Sequence, residues 1–413
     1  MQKRLLANFQ MKVIQINTVG NYGSTGRIAE QIGIAASARG WKSYIACARK
    51  LRPSASEIIK LSSPVQIAFN GLWQRIFDTD SPISKIAVKE LSEAIIKISP
   101  DIIHLHNTHG YYLNNPELLR FLSSYGRPVI WTLHDCWVLT GHCCYFESSG
   151  CRKWKTLCGN CPQKKGYPAS FICDSSRRNH KLKQELINSI PNLTLVPVSH
   201  WLNGLLKESA LKDIPSEVIH NGIDLDTFKP TYIKGFLEKY SIPNKKIILF
   251  VSSIWEERKG FNLISRIAYL LGEKYICVVV GVNRRQKEYL SKYGIIGVSR
   301  TESPADLASL YTAVSVFANP TFEDNYPTVN LESIACGTPV VTFNSGGASE
   351  TIPDGAGIAV PRGDVEAMVQ SIKRLSSEES AETAGRLRGI AENNFSGKIA
   401  WNKYIDIYEE NLS

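Results

Sequence analysis

The sequence predicts an α/β protein built on two doubly wound parallel sheets. Short apolar runs alternate with helical-period segments along both halves of the chain. At 413 residues the chain exceeds one ordinary hydrophobic core, so two domains are expected. Several apolar runs end in Gly, Ser, His or Asp, residue types suited to the carboxyl ends of parallel strands, where such sheets open onto a ligand crevice.

Composition narrows the class. Hydrophobic residues at 43% and charged residues at 21% fit a globular protein. No run of about 18 apolar residues occurs, so no membrane-spanning helix is expected. The first ten residues, M-Q-K-R-L-L-A-N-F-Q, lack the apolar segment of a signal peptide. They read as a ragged extension with Met11 as an alternative start, and the expected compartment is the cytoplasm. The net charge is +10, and residues 151–185 hold nine Lys or Arg against only Asp174 and Glu185. Such a patch suits an anionic membrane face or a phosphorylated acceptor, or it is a solvated basic surface. Nothing resembles a nucleic-acid recognition module, so no nucleic-acid partner is expected.

In the first half, Lys12–Asn17 reads as a buried strand. T-V-G-N-Y-G-S-T-G-R follows, with Gly20, Gly23 and Gly26, before a helix over Ile28–Ala38. Glycines there let backbone approach a ligand, or simply make a tight turn. Ser43–Cys47 is a second strand. Residues 52–90 are mixed, with helical periodicity over Val65–Phe77 and from Ile83 to Ile98. Asp101–His106 is a strand whose end places His106 and His109 toward the crevice. Asn114–Ser124 is a helix, and Pro128–Leu133 is a strand running into T-L-H-D, so His134 sits where a catalytic or binding group belongs.

Seven of the ten cysteines lie in an insert over 136–173. Cys143, Cys151, Cys158 and Cys161 give C-x7-C-x6-C-x2-C, the last pair being spaced to close two thiolates on one metal. Four thiolates make a closed tetrahedral structural zinc site, and His142 and Cys144 are alternative members. Disulfides and unpaired thiols are the competing readings, the former disfavoured in a reducing compartment. Trp137, Tyr145 and Trp154 are interleaved with the cysteines, suited to sugar stacking or to covering a small knuckle.

The second half continues the alternation. Leu193–Val198 and Glu217–Ile219 read as strands with a helix over His200–Ser209 between them, followed by H-N-G-I-D-L-D-T-F-K-P (His220–Pro230), an interdomain hinge. Lys246–Val251, Tyr275–Val280 and Gly294–Val298 read as strands, and Pro304–Ala313 as a helix. Ser315–Ala318 is a strand and Pro320–Pro327 a polar loop holding Glu323 and Asp324. A helix from Thr328 carries Glu332, Gly337 stops it, and Pro339–Thr342 is the next strand. Gly355–Val360 is the last strand, with helices over Asp364–Leu375 and Lys398–Glu410.

Asp324 and Glu332, followed by A-C-G-T-P-V-V, resemble the E-x7-E signature of retaining GT-B glycosyltransferases of family 4. The chain looks like a subgroup with a cysteine-rich insert. Asp324 stands where that family usually has Glu, and Glu323 is the alternative for the first acidic role. T-L-H-D, N-G-I-D-L-D-T-F-K-P and S-G-G-A-S-E (Ser345–Glu350) are similar to further motifs of the family. S-S-I-W-E-E-R-K-G is similar to its G-R-x-x-x-x-K-G loop: Lys259 matches, Ser253 replaces the Arg, and Arg258 is the candidate substitute.

The resemblance implies two Rossmann-like domains facing a central cleft. These are an acceptor-side domain over 11–225, a nucleotide-sugar domain over 226–395, and a C-terminal helix over 396–413 crossing back. It implies transfer of a sugar, with retained configuration, from a nucleotide-sugar donor to a saccharide or lipid-linked saccharide acceptor. The basic stretch over 151–185 favours a lipid-linked saccharide of surface polysaccharide assembly, at the inner membrane face. Lys259, Arg258, Ser253 and the amides of Thr328, Val329 and Asn330 would hold the diphosphate, with Gly23 near it. Gly297 and Thr301 would border the base, and Glu332 the ribose. Asp324 or Glu323 would contact the sugar, with His134 beside donor and acceptor. No catalytic metal is implied. The competing readings are a non-catalytic binder of a phosphorylated ligand and a nucleotide-sugar epimerase.

Overall fold

The computed structural model describes residues 10–233, 235–243 and 245–412, except the side chain of Phe236. The ragged extension read at the first ten residues lies, apart from Gln10, outside the described residues. The chain divides into two compact units: His220–Ala400 is one, and the chain up to Ile219 together with residues from Trp401 onward is the other.

In the first unit the sheet order is β3-β2-β1-β4-β5-β6. Its strands are β1 (Lys12–Ile16), β2 (Lys42–Cys47), β3 (Glu57–Lys60), β4 (Ile102–Leu105), β5 (Val129–Leu133) and β6 (Leu193–Pro197), all paired in parallel. Val13, Ile14, Ile16, Ile102, Ile103, Val129 and Ile130 are fully buried, as central parallel strands covered on both faces require. The helices are α1 (Gly23–Ala38), α2 (Pro64–Phe77), α3 (Ser84–Ile98), α4 (Asn115–Tyr125), α5 (Ser176–Asn188) and α6 (His200–Lys207). Helix α2 opens on a capping box between Ser63 and Gln66, with Pro64 in its first turn.

Three expectations are corrected here. Gly23 and Gly26 belong to α1, which begins at Gly23 rather than near Ile28. Glu217–Ile219 does not form a regular strand: it follows a single bridge between Leu195 and Ser216, and runs along β6 with only the Glu217 and Ile219 N–H groups bonded to Leu195 O and Pro197 O. Residues 52–90 also contain an edge strand, β3, which is largely exposed on its outer side and so lacks a continuous apolar run.

The second unit repeats the plan, with order β12-β11-β10-β7-β8-β9. Its strands are β7 (Lys246–Val251), β8 (Tyr275–Val280), β9 (Ile296–Val298), β10 (Val316–Asn319), β11 (Val340–Phe343) and β12 (Gly357–Val360). Its helices are α7 (Phe236–Lys239), α8 (Ile264–Leu271), α9 (Arg284–Ser291), α10 (Pro304–Thr312), α11 (Thr328–Ala335), α12 (Val365–Ser377) and α13 (Ala381–Asn394), and α14 (Gly397–Glu410) starts in it. Ile248, Phe250, Val279, Val316, Phe343, Met368 and Ile372 form the core between sheet and helices. The two ends of this unit are clasped together: Ile223 N–H donates to Phe395 O (3.0 Å) and Gly397 N–H to Ile223 O (2.9 Å).

In each sheet the strand order reverses once, between β1 and β4 and between β7 and β10. At such a reversal the flanking loops diverge and leave a crevice beyond the strand ends.

Candidate active site

The reversal in the second sheet brings together the loops after β7 and β10. Lys259 Nζ, on the first, bonds and pairs with Asp324 Oδ2, on the second. Burial alone would push the Asp324 carboxyl up. The charges of Lys259 and Arg258, the Lys259 hydrogen bond and the Asn325 N–H outweigh it and hold it below the usual carboxylate range. Arg258 donates through Nη1 to Glu323 O (2.6 Å) and through Nη2 to Glu256 Oε1 (2.7 Å). Gly260, at φ +74, lets this corner close, since a Cβ there would overlap Pro320 O. Ser345 Oγ donates to Thr321 O (2.6 Å) and Gly347 N–H to Asp324 O (2.9 Å), tying in the loop after β11.

Helix α11 begins at Thr328 behind Pro327, and no side chain caps it. Its first amides, those of Thr328 and Val329, supply the partial positive end of the helix at this corner. The Asn330 N–H instead donates to Pro327 O (3.2 Å), and its side chain points inward, accepting from Asn319 Nδ2 (2.9 Å) and donating to Thr351 Oγ1 (2.7 Å). Glu332 is 4% exposed, and its Oε2 accepts from Tyr311 OH at 3.3 Å. Glu323 is fully buried, whereas the Asp324 side chain keeps 16% of its surface. Ser253 is exposed. Gly297 lies inside β9, and the space beside its Cα is filled by Lys287 and Val282, so its missing side chain serves packing. Thr301 is half-buried in the loop beyond that strand.

The reversal in the first sheet carries a chain of polar groups. Gln15 Nε2 donates to Ala29 O (2.7 Å), which leaves Gln15 Oε1 to accept from His106 Nε2 (3.0 Å). Burial, and then the neighbouring histidines, lower the pKa of His106 well below its ordinary value. The neutral ring's Nδ1 therefore accepts from His134 Nε2 (3.0 Å). His134 is thus a neutral imidazole with its lone pair on Nδ1, and burial brings its pKa down to about 4. Beneath it, His104 contacts Thr132 Oγ1 (2.8 Å) and Tyr408 OH (2.6 Å), the latter from α14. Gly23 is exposed at the first turn of α1, with no neighbour that a Cβ would meet.

Residues 25–227 match the family described as Glycosyltransferase Family 4, and residues 245–378 match Glycosyl transferases group 1. The chain belongs to glycosyltransferase family 4. This glycosyltransferase is 26% identical over 330 residues to WcaC of Escherichia coli, described as a colanic acid biosynthesis glycosyl transferase, covering 75% of this chain and 76% of that protein. It is 28% identical over 199 residues to the capsular polysaccharide biosynthesis glycosyltransferase CapM of Staphylococcus aureus, and there spans about half the relative's length (52%). Among solved structures, sucrose-phosphate synthase of Thermosynechococcus elongatus is similar in fold. Its TM-score is 0.72 at 17% identity, covering 97% of this chain and 99% of that one. HepE of Anabaena, solved with UDP and glucose, has a TM-score of 0.67 at 15% identity, covering 97% and 100%. The fold is GT-B.

The glycosyltransferase also carries groups that periodicity did not reveal. His109 Nε2 bonds Asp135 Oδ2 at 2.8 Å, and Cys144 places its sulfur with them so that three potential ligand atoms lie within 4.8 Å of one another. Lys183, on α5, lies 3.5 Å over the Trp137 ring and donates to Trp137 O; burial brings its pKa down to about 8. A cavity of about 390 Å³ opens beside this cluster, lined by Trp73, Asp80, Tyr111, Asn115, Trp137 and Lys183 among others. In the second unit Tyr326 stacks on His220 (4.7 Å between centroids), and His220 contacts Glu350 at 3.4 Å.

Of the four expected zinc ligands, Cys143 and Cys161 are in hydrogen-bond contact through sulfur. Cys158 lies in the electrostatic field of Cys151 and Cys161. Among the described residues the four sulfurs do not form a group with three atoms within 4.8 Å, as the His109 cluster does. All ten cysteines are thiols in this structure.

Proposed function

We propose that this enzyme transfers a sugar from a nucleotide-sugar donor to a hydroxyl of a saccharide or lipid-linked saccharide, with retention at the anomeric carbon. The observation that carries the reading is the corner made by Lys259, Arg258, Asp324 and the uncapped start of α11, set at the sheet reversal of the second unit. A nucleoside diphosphate needs that chemistry: two fixed cations and helix-end amides aimed at developing charge. In the step proposed, the bond from the anomeric carbon to the diphosphate oxygen breaks and the acceptor oxygen bonds to the same face. The acceptor's proton leaves with the diphosphate. Lys259 exchanges part of its contact with Asp324 for the β-phosphate, freeing the carboxylate to hold sugar hydroxyls. Asp324 suits this better than the fully buried Glu323. Glu332, oriented by Tyr311, would hold the ribose, and Ser253 and Thr301 would border the nucleotide.

The colanic acid and capsular polysaccharide relatives support an acceptor in surface polysaccharide assembly. The basic stretch over 151–185 supports work at the cytoplasmic face of a membrane. No helix among the described residues is long and apolar enough to cross one.

The test is a panel of nucleotide sugars assayed for diphosphate release with wild type and Lys259→Ala. Loss of one such cation is expected to lower kcat/KM by about 10²–10³. Unchanged turnover in Lys259→Ala would refute the placement. C2 inversion of the donor would favour an epimerase, and binding without turnover a docking protein.

A further inference from the structure

We propose that Cys143, Cys151, Cys158 and Cys161 bind one zinc ion as a closed tetrathiolate centre that pins the segment between β5 and α5. From His134 to Ser175 the chain forms no strand or α-helix, only three single 3-10 turns at Trp137–Leu139, Glu147–Ser149 and Lys153–Lys155. A stretch of that length without regular structure needs more than scattered turn and loop bonds to hold it. Its apolar packing is uneven. Val138, Leu139, Phe146 and Trp154 are buried, with Phe146 stacked on Trp154 at 5.1 Å, while Leu157, Phe171 and Ile172 are exposed.

The thiols sit where a metal would compensate. Cys143 and Cys161 touch through sulfur, and Cys158 bridges the fields of Cys143, Cys151 and Cys161. The Cys158–Cys161 turn passes through Gly159 at φ +156 and Asn160 at φ +46, a tight reversal within the C-x2-C spacing. Gly141 N–H donates to Cys158 Sγ at 3.3 Å, a bond that favours a thiolate. Cys161 N–H is anchored to Asp174 Oδ2 at 2.6 Å. Zn²⁺ with four thiolates carries a net charge of 2−, and the surrounding stretch has nine Lys or Arg against two acids. Lys183 exerts its charge on Cys158. No three of the four sulfurs lie within 4.8 Å of one another, so binding must draw them in to about 3.8 Å, the spacing that a Zn–S bond of about 2.3 Å imposes.

Two rivals are weaker. His109, Asp135 and Cys144 are compact, but His109 and Asp135 are paired to each other, Asp135 also accepts the Trp137 N–H, and the Lys183 ammonium lies on that ring. His142 is the closer rival. Asp78 holds its Nδ1, and its buried Nε2 has no hydrogen-bond partner, the arrangement of a histidine ligand with a carboxylate behind it. Cys143, Cys158 and Cys161 with His142 is therefore the alternative set the experiment must separate.

The full chain, purified under reducing conditions without chelator and dialysed after adding equimolar Zn²⁺, should retain about one zinc per chain by elemental mass spectrometry. Co²⁺ substitution should give intense thiolate charge-transfer absorption with a tetrahedral visible band. Cys151→Ser and Cys158→Ser should each lose at least about four-fifths of the metal, while His142→Gln should keep it. Wild type holding less than about a tenth of an equivalent, or showing no thiolate band with Co²⁺, overturns the proposal whatever the variants do. Full zinc in Cys151→Ser with loss in His142→Gln overturns the tetrathiolate set.

Discussion

Acidification should unfold the first unit from its centre. His104, His106 and His134 stack along the ends of β4 and β5, all held neutral by burial. A base whose folded pKa is depressed stabilises the native state only while the unfolded chain is also neutral, so the stability is lost as pH falls below 6.5. For His134 the pair of values is 6.5 unfolded and about 4 folded. Between pH 7.5 and 5.5 that difference removes about 1.3 kcal/mol for His134 alone, and His104 and His106, lowered in the same direction, add to it. Even one such ring is a noticeable part of a typical domain's 5–15 kcal/mol. The lowered carboxylates, Asp135 and Asp324, do not mask the effect, because their contribution is lost only as pH falls past about 3.8. Lys183, at about 8, is already mostly charged across the window. The assay is native-state hydrogen exchange on peptides covering β1, β4 and β5 at pH 7.5, 6.5 and 5.5, corrected for intrinsic rates. A loss below about 1 kcal/mol, less than one histidine's worth, would refute neutral burial of the trio.

Other outcomes follow from single contacts. Gly260→Ala places a side chain at φ +74 against Pro320 O, so it should destabilise the second unit by at least about 2 kcal/mol in urea unfolding and raise donor KM. Tyr311→Phe removes a hydrogen bond to Glu332, and donor affinity by calorimetry should weaken with a stability loss of about 0.5–1.5 kcal/mol. Gln15→Leu frees the His106 tautomer, which should shift the acid limb of the pH–rate profile while leaving turnover at pH 8 within about threefold. Asp324→Asn keeps the shape but loses the charge facing Lys259, and kcat should fall more than donor affinity.

Much of this was legible in the chain because strands buried on both faces write continuous apolar runs: β1, β4, β5, β7, β8, β10 and β11 were each readable within a residue or two. β3 was not, since an edge strand with one covered side has no such run. Helix α5 was hidden by its polar character, yet it delivers Lys183 to Trp137. At the candidate site, Lys259 and Asp324 were separately legible from motif positions, but their pairing depends on β7 and β10 being neighbours, which only topology decides. The Gln15–His106–His134 relay joins three strands that are up to 119 residues apart in sequence, and no local pattern signals it.

The clasp between Ile223 and the Phe395–Gly397 stretch has a consequence for how this chain can be cut and rejoined. A module whose entry and exit lie a hydrogen bond apart behaves as a removable cassette: its backbone can be closed on itself or transplanted without stretching either end. Residues 220–400 expressed alone, or circularly permuted through a short glycine bridge, should therefore refold with their own cooperative transition. Chimaeras that exchange this piece between related enzymes should keep both sheets intact.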